Sequence, residues 1–413
     1  MINRAPLHAE MSQFLTDPGG ELLVGGQRLS VLAARVGQTP FYAYDRSLLS
    51  QRVAQLRTAL PRSLKLHYAM KANPMPAVVQ CMAGLVDGID VASAGELKVA
   101  LDAGADPAEV SFAGPGKRDA ELRQAVAAGV LVNVESMREL PALAEASQAL
   151  GLPARVAVRV NPDFELKGSG MKMGGGPKQF GVDVEVVPAM LAAIAERGLL
   201  FEGFHLFAGS QNLRPESICE AQQKSYELAL RLAAQTAAPV KFLNLGGGFG
   251  IPYFPGEQRL DLAPIGENLA AIVERAQRDL PQAHIVVELG RYLVGEAGVY
   301  VTRVVDRKVS RGQVYLVTDG GLNHHLSASG NFGQVVRKNY PVAIGNRSGA
   351  TVARETASVV GPLCTPLDLL ADRMDLAAAE VGDLVVVFQS GAYGASASPQ
   401  AFLGHPAVIE VLV

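Results

Sequence analysis

The sequence predicts an α/β fold: a TIM-like (β/α)8 barrel followed by a C-terminal all-β, barrel-like domain. Three observations predict it. Eight short apolar runs alternate with longer Ala- and Leu-rich stretches of helical period. The first four runs recur about every 22 residues, the length of one strand plus one crossover helix. After about residue 295 the helical stretches give way to strand-like segments joined by turns.

In order, the runs are LHYAM (66–70), GIDVAS (88–93), VSFAG (110–114), LVNVE (131–135), RVAVRVN (155–161), GFHLFAG (203–209), FLNLGGG (242–248) and IVVELG (285–290). Continuous apolar strands joined by helices such as GELKVALDAGA and RDAELRQAVAAG belong to a parallel sheet covered on both faces, and eight such units suggest a closed barrel. The later segments GVYVTRVVDRKV, GQVYLVTDG, ATVARETASVVG, GDLVVVFQSG and AVIEVLV make the β domain. The hairpin-like ELLVGGQRL places residues 1–40 with that domain, leaving 41–295 to the barrel and 296–413 to the β part. The loop GSGMKMGGGPKQ (168–179) has too many glycines to be regular and is read as a cover.

Composition excludes several classes. Apolar residues are 49% and charged residues 19%, enough to bury a large core. With 37 Lys and Arg against 40 Asp and Glu there is no positive excess for nucleic acid. No apolar run reaches the roughly 18 residues of a membrane helix, and the opening segment has no continuous apolar core for a signal peptide. Cys81, Cys219 and Cys364 are too few and scattered for a disulfide framework or a zinc site. A cytoplasmic protein with reduced thiols is expected.

Chemistry in such barrels sits where the strands end. The residues there are Lys71 after the first run, Asp90 and Ser93 in the second, Arg159 and Asn161 closing the fifth, Gly209 and Ser210 after the sixth, Gly246, Gly247 and Gly248 after the seventh, and Glu288, Gly290 and Arg291 at the eighth. One lysine, carboxylates, arginines and a Gly-rich turn around one mouth point to a phosphorylated cofactor. Glycines let backbone N–H groups approach an anion, a guanidinium can grip it bidentately, and a lysine beside an apolar strand can form a Schiff base.

YAMKANP, GIDVASAGEL, FAGPGK, RVNPD, GSQNL, LGGGFG, ELGRYLVGEAG, GPLC and GAYG occur in the order seen in fold type III pyridoxal-phosphate decarboxylases, the family of ornithine, diaminopimelate and arginine decarboxylases. The chain resembles that family from roughly residue 40 to 395, which implies an alanine-racemase-like architecture. The resemblance makes Lys71 the lysine that holds pyridoxal 5'-phosphate. It puts Gly247 and Gly248 at the phosphate with Ser210, Arg291 and Tyr393, and Glu288 at the pyridine nitrogen, with Asp90, Arg159 and Gly290 lining the same mouth. A carboxylate there keeps the ring protonated and electron-accepting, which favours decarboxylation. Racemases of the same fold place an arginine instead. Cys364 matches a cysteine that family members lend across a head-to-tail homodimer as a general acid.

The sequence also departs from the family. Phe207 stands where many members have a histidine stacked on the ring, and a phenyl can stack but not donate. His205 is either close to the ring or a satisfied core histidine. Thr365 replaces the acidic residue after the GPLC cysteine, with Asp368 three residues on, and the segment GGLNHHLSASGNFGQ (320–334) lacks the arginine that holds a distal carboxylate. His324 and His325 find no third metal ligand at usable spacing; no metal is expected, and His325 is read with Thr365 and Asp368 on the substrate side. These features are similar to an exosortase-associated or carrier-protein subgroup that decarboxylates aminoacyl groups. They imply an amino acid with a blocked distal end, presented on an acyl carrier protein. The alternatives are a free meso-diaminopimelate decarboxylase and a non-catalytic pyridoxal-phosphate-binding protein, the latter opposed by the presence of both Cys364 and Glu288.

Overall fold

The computed structural model describes residues 7–164, 171–172, 174–348 and 352–413. The chain divides into two compact units. One comprises the described residues of Gln51–Ile251 and Leu260–Tyr292; the other comprises those up to Ser50, Pro252–Arg259 and those of Leu293–Val413.

The first unit is the barrel. Its strands are β1 Lys65–Ala69, β2 Gly88–Val91, β3 Val110–Phe112, β4 Leu131–Val134, β5 Arg155–Asn161, β6 Leu200–Leu206, β7 Phe242–Gly247 and β8 His284–Leu289. All pair in parallel with their neighbours in the order β5-β6-β7-β8-β1-β2-β3-β4, and β4 pairs with β5 to close the circle. Each of the eight apolar runs is a strand. Helices cross over between them, for example Pro76–Ala83 after β1 and Pro215–Ala233 after β6, both with proline at the first position, where its missing N–H costs no intrahelical bond. The runs are mainly apolar because side chains alternate between the barrel interior and the helix layer. In β5, Val156, Ala157, Val158 and Val160 are all buried.

The second unit is built on the 13-residue strand β9 Gly298–Ser310. With β10 Gln313–Thr318, β11 Val342–Ile344, β12 Arg354–Val360, β13 Leu369–Ala377 and β14 Leu384–Val387, it forms a sheet in the order β11-β14-β9-β10-β12-β13. The strand Phe41–Tyr44 pairs antiparallel with β9 and parallel with Ile409–Leu412. Pairing therefore carries Phe41–Tyr44 into the β unit, although its position after residue 40 had assigned it to the barrel. Phe41, Val299, Val301, Val386 and Phe388 share one buried cluster with Leu22, Val24, Leu29 and Leu32 from the opening hairpin and helix. Besides Phe41–Tyr44, the strands β11 and β13 of this unit match none of the segments read from the sequence. β11 has three residues, and β13, LLADRMDLA, carries three charges in nine positions.

Among the described residues no helix is long and apolar enough to cross a membrane, and no cluster of His, Cys, Asp or Glu could hold a metal ion. The covering loop read over 168–179 lies partly outside the described residues; Met171–Lys172 within it pair antiparallel with Gly209–Ser210.

Candidate active site

The C-terminal end of the barrel collects most of the residues singled out above. β1 ends at Ala69 and a single 3-10 turn, Met70–Ala72, carries Lys71 into solvent. The turn is fixed by the Asn73 N–H on the Met70 carbonyl at 2.9 Å and the Tyr68 hydroxyl on the Asn73 carbonyl at 2.8 Å. Lys71 Nζ lies 5.6 Å from the centroid of the Phe207 ring, which is half-buried just beyond the end of β6. The ends of two strands on different sides of the sheet order thus face one another.

Deeper in the mouth a carboxylate is held ionised. Glu288 on β8 is 6% exposed, and its Oε2 lies 2.9 Å from His205 Nε2 and accepts from Asn244 Nδ2 at 3.0 Å. Parallel pairing explains the convergence, since His205 pairs in register with both Arg159 and Asn244, and Glu288 with Gly247. Burial alone would raise the Glu288 carboxyl, but His205, Lys71 and Arg159 hold it well below the usual carboxylate range. His205 is itself 2% exposed, and its Nδ1 has no partner among the described residues. A buried ring nitrogen left without a partner costs stability and marks where a bound group would supply one.

The turn after β7 is shaped by backbone approach. Gly246 and Gly248 have φ of +72° and +75°, a region side chains rarely adopt. A Cβ on Gly247 would strike the Glu288 carbonyl, and one on Gly248 the Gly209 carbonyl. Beside this turn stand Ser210, in the short strand after β6, and half-buried Arg291, which opens the helix Arg291–Val294 after β8. Gly290 keeps room for β1, because a Cβ there would sit 3.0 Å from the Ala69 carbonyl.

Asp90 and Arg159 are engaged elsewhere. Asp90 Oδ1 binds His67 Nδ1 at 3.0 Å and the Ser111 hydroxyl at 2.6 Å, while Oδ2 has no partner among the described residues. Arg159 donates to Glu135 at 3.0 Å and stacks on Phe180, and its charge reaches the mouth mainly as a field on Glu288.

In the β unit the predicted residues separate. Cys364 is exposed and Thr365 half-buried on the loop before β13. Tyr393 has φ of +53° and is half-buried, its carbonyl accepting from the Ser327 hydroxyl at 2.9 Å. The fold engages two of the residues expected on the substrate side. Asp368 is 3% exposed and spends its two carboxylate oxygens on the N–H groups of Leu322 and Leu363 at 2.6 and 2.8 Å. His325 is fully buried among Tyr42, Tyr300 and Tyr340, its Nε2 on the Ser390 hydroxyl at 2.8 Å and its Nδ1 accepting from the Ala328 N–H. Both side chains are consumed by the fold.

Known proteins match this arrangement. The model of the family described as "Pyridoxal-dependent decarboxylase, pyridoxal binding domain" matches residues 46–295, more than half of the chain. The chain belongs to this family. The decarboxylase is 39% identical over 383 residues to an L-glutamyl-[BtrI acyl-carrier protein] decarboxylase of Niallia circulans, covering 91% of this chain and 89% of that one. It is 33% identical over 407 residues to a diaminopimelate decarboxylase of Aquifex aeolicus, covering 98% and 93%. Among solved structures it resembles Helicobacter pylori diaminopimelate decarboxylase complexed with L-lysine, with a TM-score of 0.81 and 29% identity over 93% of this chain and 94% of that one.

The residues of the mouth fit pyridoxal phosphate, the cofactor of this family. The turn after β7 admits only glycine, the buried His205 Nδ1 lacks a partner among the described residues, and a lysine stands at the rim. Asn244, His67, Ser111 and Asn133 are buried members of the decarboxylase's polar interior that the sequence reading passed over. Their signal was present, since each is a polar residue inside an otherwise apolar strand, and burying a polar group requires a partner.

Proposed function

We propose that the enzyme removes the α-carboxyl group of an amino acid whose distal end is blocked, most simply as a thioester on an acyl carrier protein. The observation that carries this reading is the 39% identity, over 91% of the chain, to a decarboxylase of carrier-bound glutamate. The missing arginine in 320–334 agrees with it, because a tethered substrate presents no free distal carboxylate.

In this reading Lys71 would bind the cofactor's aldehyde. Gly247, Gly248, Ser210, Arg291 and Tyr393 would hold its phosphate, and Phe207 would pack against its ring. The buried, ionised Glu288 would favour a proton on the ring nitrogen, with Asn244 and His205 fixing the position of the carboxylate. Bound pyridoxal phosphate supplies the sink for the electron pair left when CO2 departs. Cys364, exposed on its loop, delivers a proton to the Cα position from the second subunit of a homodimer, and Thr365 beside it makes the distal contact in place of a charged residue.

The test is CO2 release from glutamyl and meso-diaminopimelyl groups loaded on a carrier protein through their distal carboxyl, set against free glutamate, ornithine, lysine and meso-diaminopimelate. The expected result is turnover of a carrier-bound substrate at least tenfold faster than any free one. Equal or faster lysine formation from free diaminopimelate would replace this reading with the lysine-biosynthetic one.

A further inference from the structure

The end of the barrel opposite the active site contains a cavity of about 360 Å3. Its wall is made by residues that open their strands: Lys65 on β1, Arg155 on β5, Phe242 on β7 and His284 on β8. Strands of five to seven residues, rising roughly 3.3 Å per residue, separate it from the mouth that holds Lys71 and the glycine turn.

The charges of this wall are not balanced. Lys65 pairs with Glu109 at 2.5 Å, and Arg155 pairs with Glu202 through two bonds of 2.7 and 2.9 Å. Lys241, exposed on the rim, has no acidic partner among the described residues. One further group faces the same cavity. His67 is 2% exposed, its Nδ1 is held by Asp90 at 3.0 Å, and its Nε2 has no partner among the described residues. Burial works against a charge on this ring, but the adjacent Asp90 more than offsets it and raises the imidazole above its ordinary value. The ring thus leaves Nε2 open on the cavity. A plain structural lock would close its pairs, as Lys65 and Arg155 do; this one leaves a buried ring nitrogen and an ammonium without an acidic partner among the described residues on one space large enough for a small metabolite.

We propose that this cavity binds a small organic anion, through a carboxylate or phosphate group held between His67 Nε2 and the Lys241 ammonium. The two acids on the wall are already neutralised by their own partners, so an incoming anion meets net positive charge. A bound anion would give His67 Nε2 the partner it lacks among the described residues.

The experiment is calorimetric titration of the holoenzyme with citrate and, separately, with inorganic phosphate, at an ionic strength fixed with chloride. We expect one saturable site per chain for at least one probe, and which probe binds identifies the group recognised. Lys241→Glu should weaken that binding at least tenfold while leaving decarboxylation of the preferred substrate unchanged, and Lys308→Glu, an exposed lysine in the β unit, should leave it intact. His67→Asn should weaken it similarly; because His67 is buried, Lys241→Glu carries the decision if that variant fails to fold. No saturable binding beyond chloride, binding indifferent to Lys241→Glu, or binding displaced by the product amine would each overturn the proposal. Displacement would place the anion at the active site, and the failure of that outcome leaves the decarboxylase reading untouched.

Discussion

Glu288 and Asp368 are both buried carboxylates, one at the mouth of the barrel and one in the β unit, and they differ in what their neighbours leave open. Asp368 faces two backbone N–H groups that take its two oxygens, and burial pushes it above its usual value. Glu288 faces His205, Asn244 and the fields of Lys71 and Arg159, which keep it charged, and its histidine neighbour retains a free ring nitrogen. A buried acid whose partners are all backbone organises a loop. One whose partners are themselves ionisable and incompletely paired is held ready for a ligand.

The sharpest way to break this contrast is to remove the amine at the barrel rim. Lys71→Ala should leave no turnover above background, and borohydride should then fix no cofactor to the chain; retained activity would remove Lys71 from the site. Glu288→Gln should slow decarboxylation by about 10²–10³-fold, with cofactor still bound by absorbance, whereas Asp368→Asn should leave the rate of the folded enzyme near that of the parent. Cys364→Ala should retain the cofactor but slow product formation by about 10²-fold if the thiol is the acid, and an unchanged rate would assign proton delivery to another group. The stability of Asp368→Asn should fall by about 1–3 kcal/mol, read from urea denaturation, because one backbone N–H loses its acceptor.

The smallest effect is on acid stability. Burial lowers His325 from 6.5 to about 3. The unfolded histidine takes a proton below 6.5 that the folded one refuses, so this residue's contribution is intact above that pH and is lost as the pH falls toward 3. The slope should reach at most roughly 1.4 kcal/mol per pH unit. Replacement by Gln should flatten that limb in denaturation curves measured across the window.

The barrel was legible because its strands are buried on both faces and bounded by turns, so each of the eight runs stands out against its neighbours. β13 was not, because Asp372, Arg373 and Asp375 break its pattern. β13 buries side chains only near its two ends, Leu370–Ala371 and Leu376–Ala377, so no alternation runs through the charged middle that pairs with β12. In the site, Lys71, the glycines and Glu288 followed from what stands after each strand. The partners of His325 and Asp368 were not legible, because the tyrosines and backbone N–H groups that engage them come from distant positions that no local reading brings together. Asn244 was overlooked for the converse reason: it sits inside a run counted only for its apolar residues.

The threading of Phe41–Tyr44 has a consequence for how the molecule is made. Its hydrogen-bonding neighbours are Gly298–Ser310 on one side and Ile409–Leu412 on the other, so more than 250 intervening residues must leave the ribosome before either edge is covered. The barrel's strands, each beside its successor, can assemble while synthesis continues. The β unit must wait with an unsatisfied ribbon of backbone, the form most open to wrong pairing with another nascent chain. Birth order thus builds the barrel before the sheet that carries the thiol, and a pause in translation ahead of residue 409 leaves that sheet open along one side.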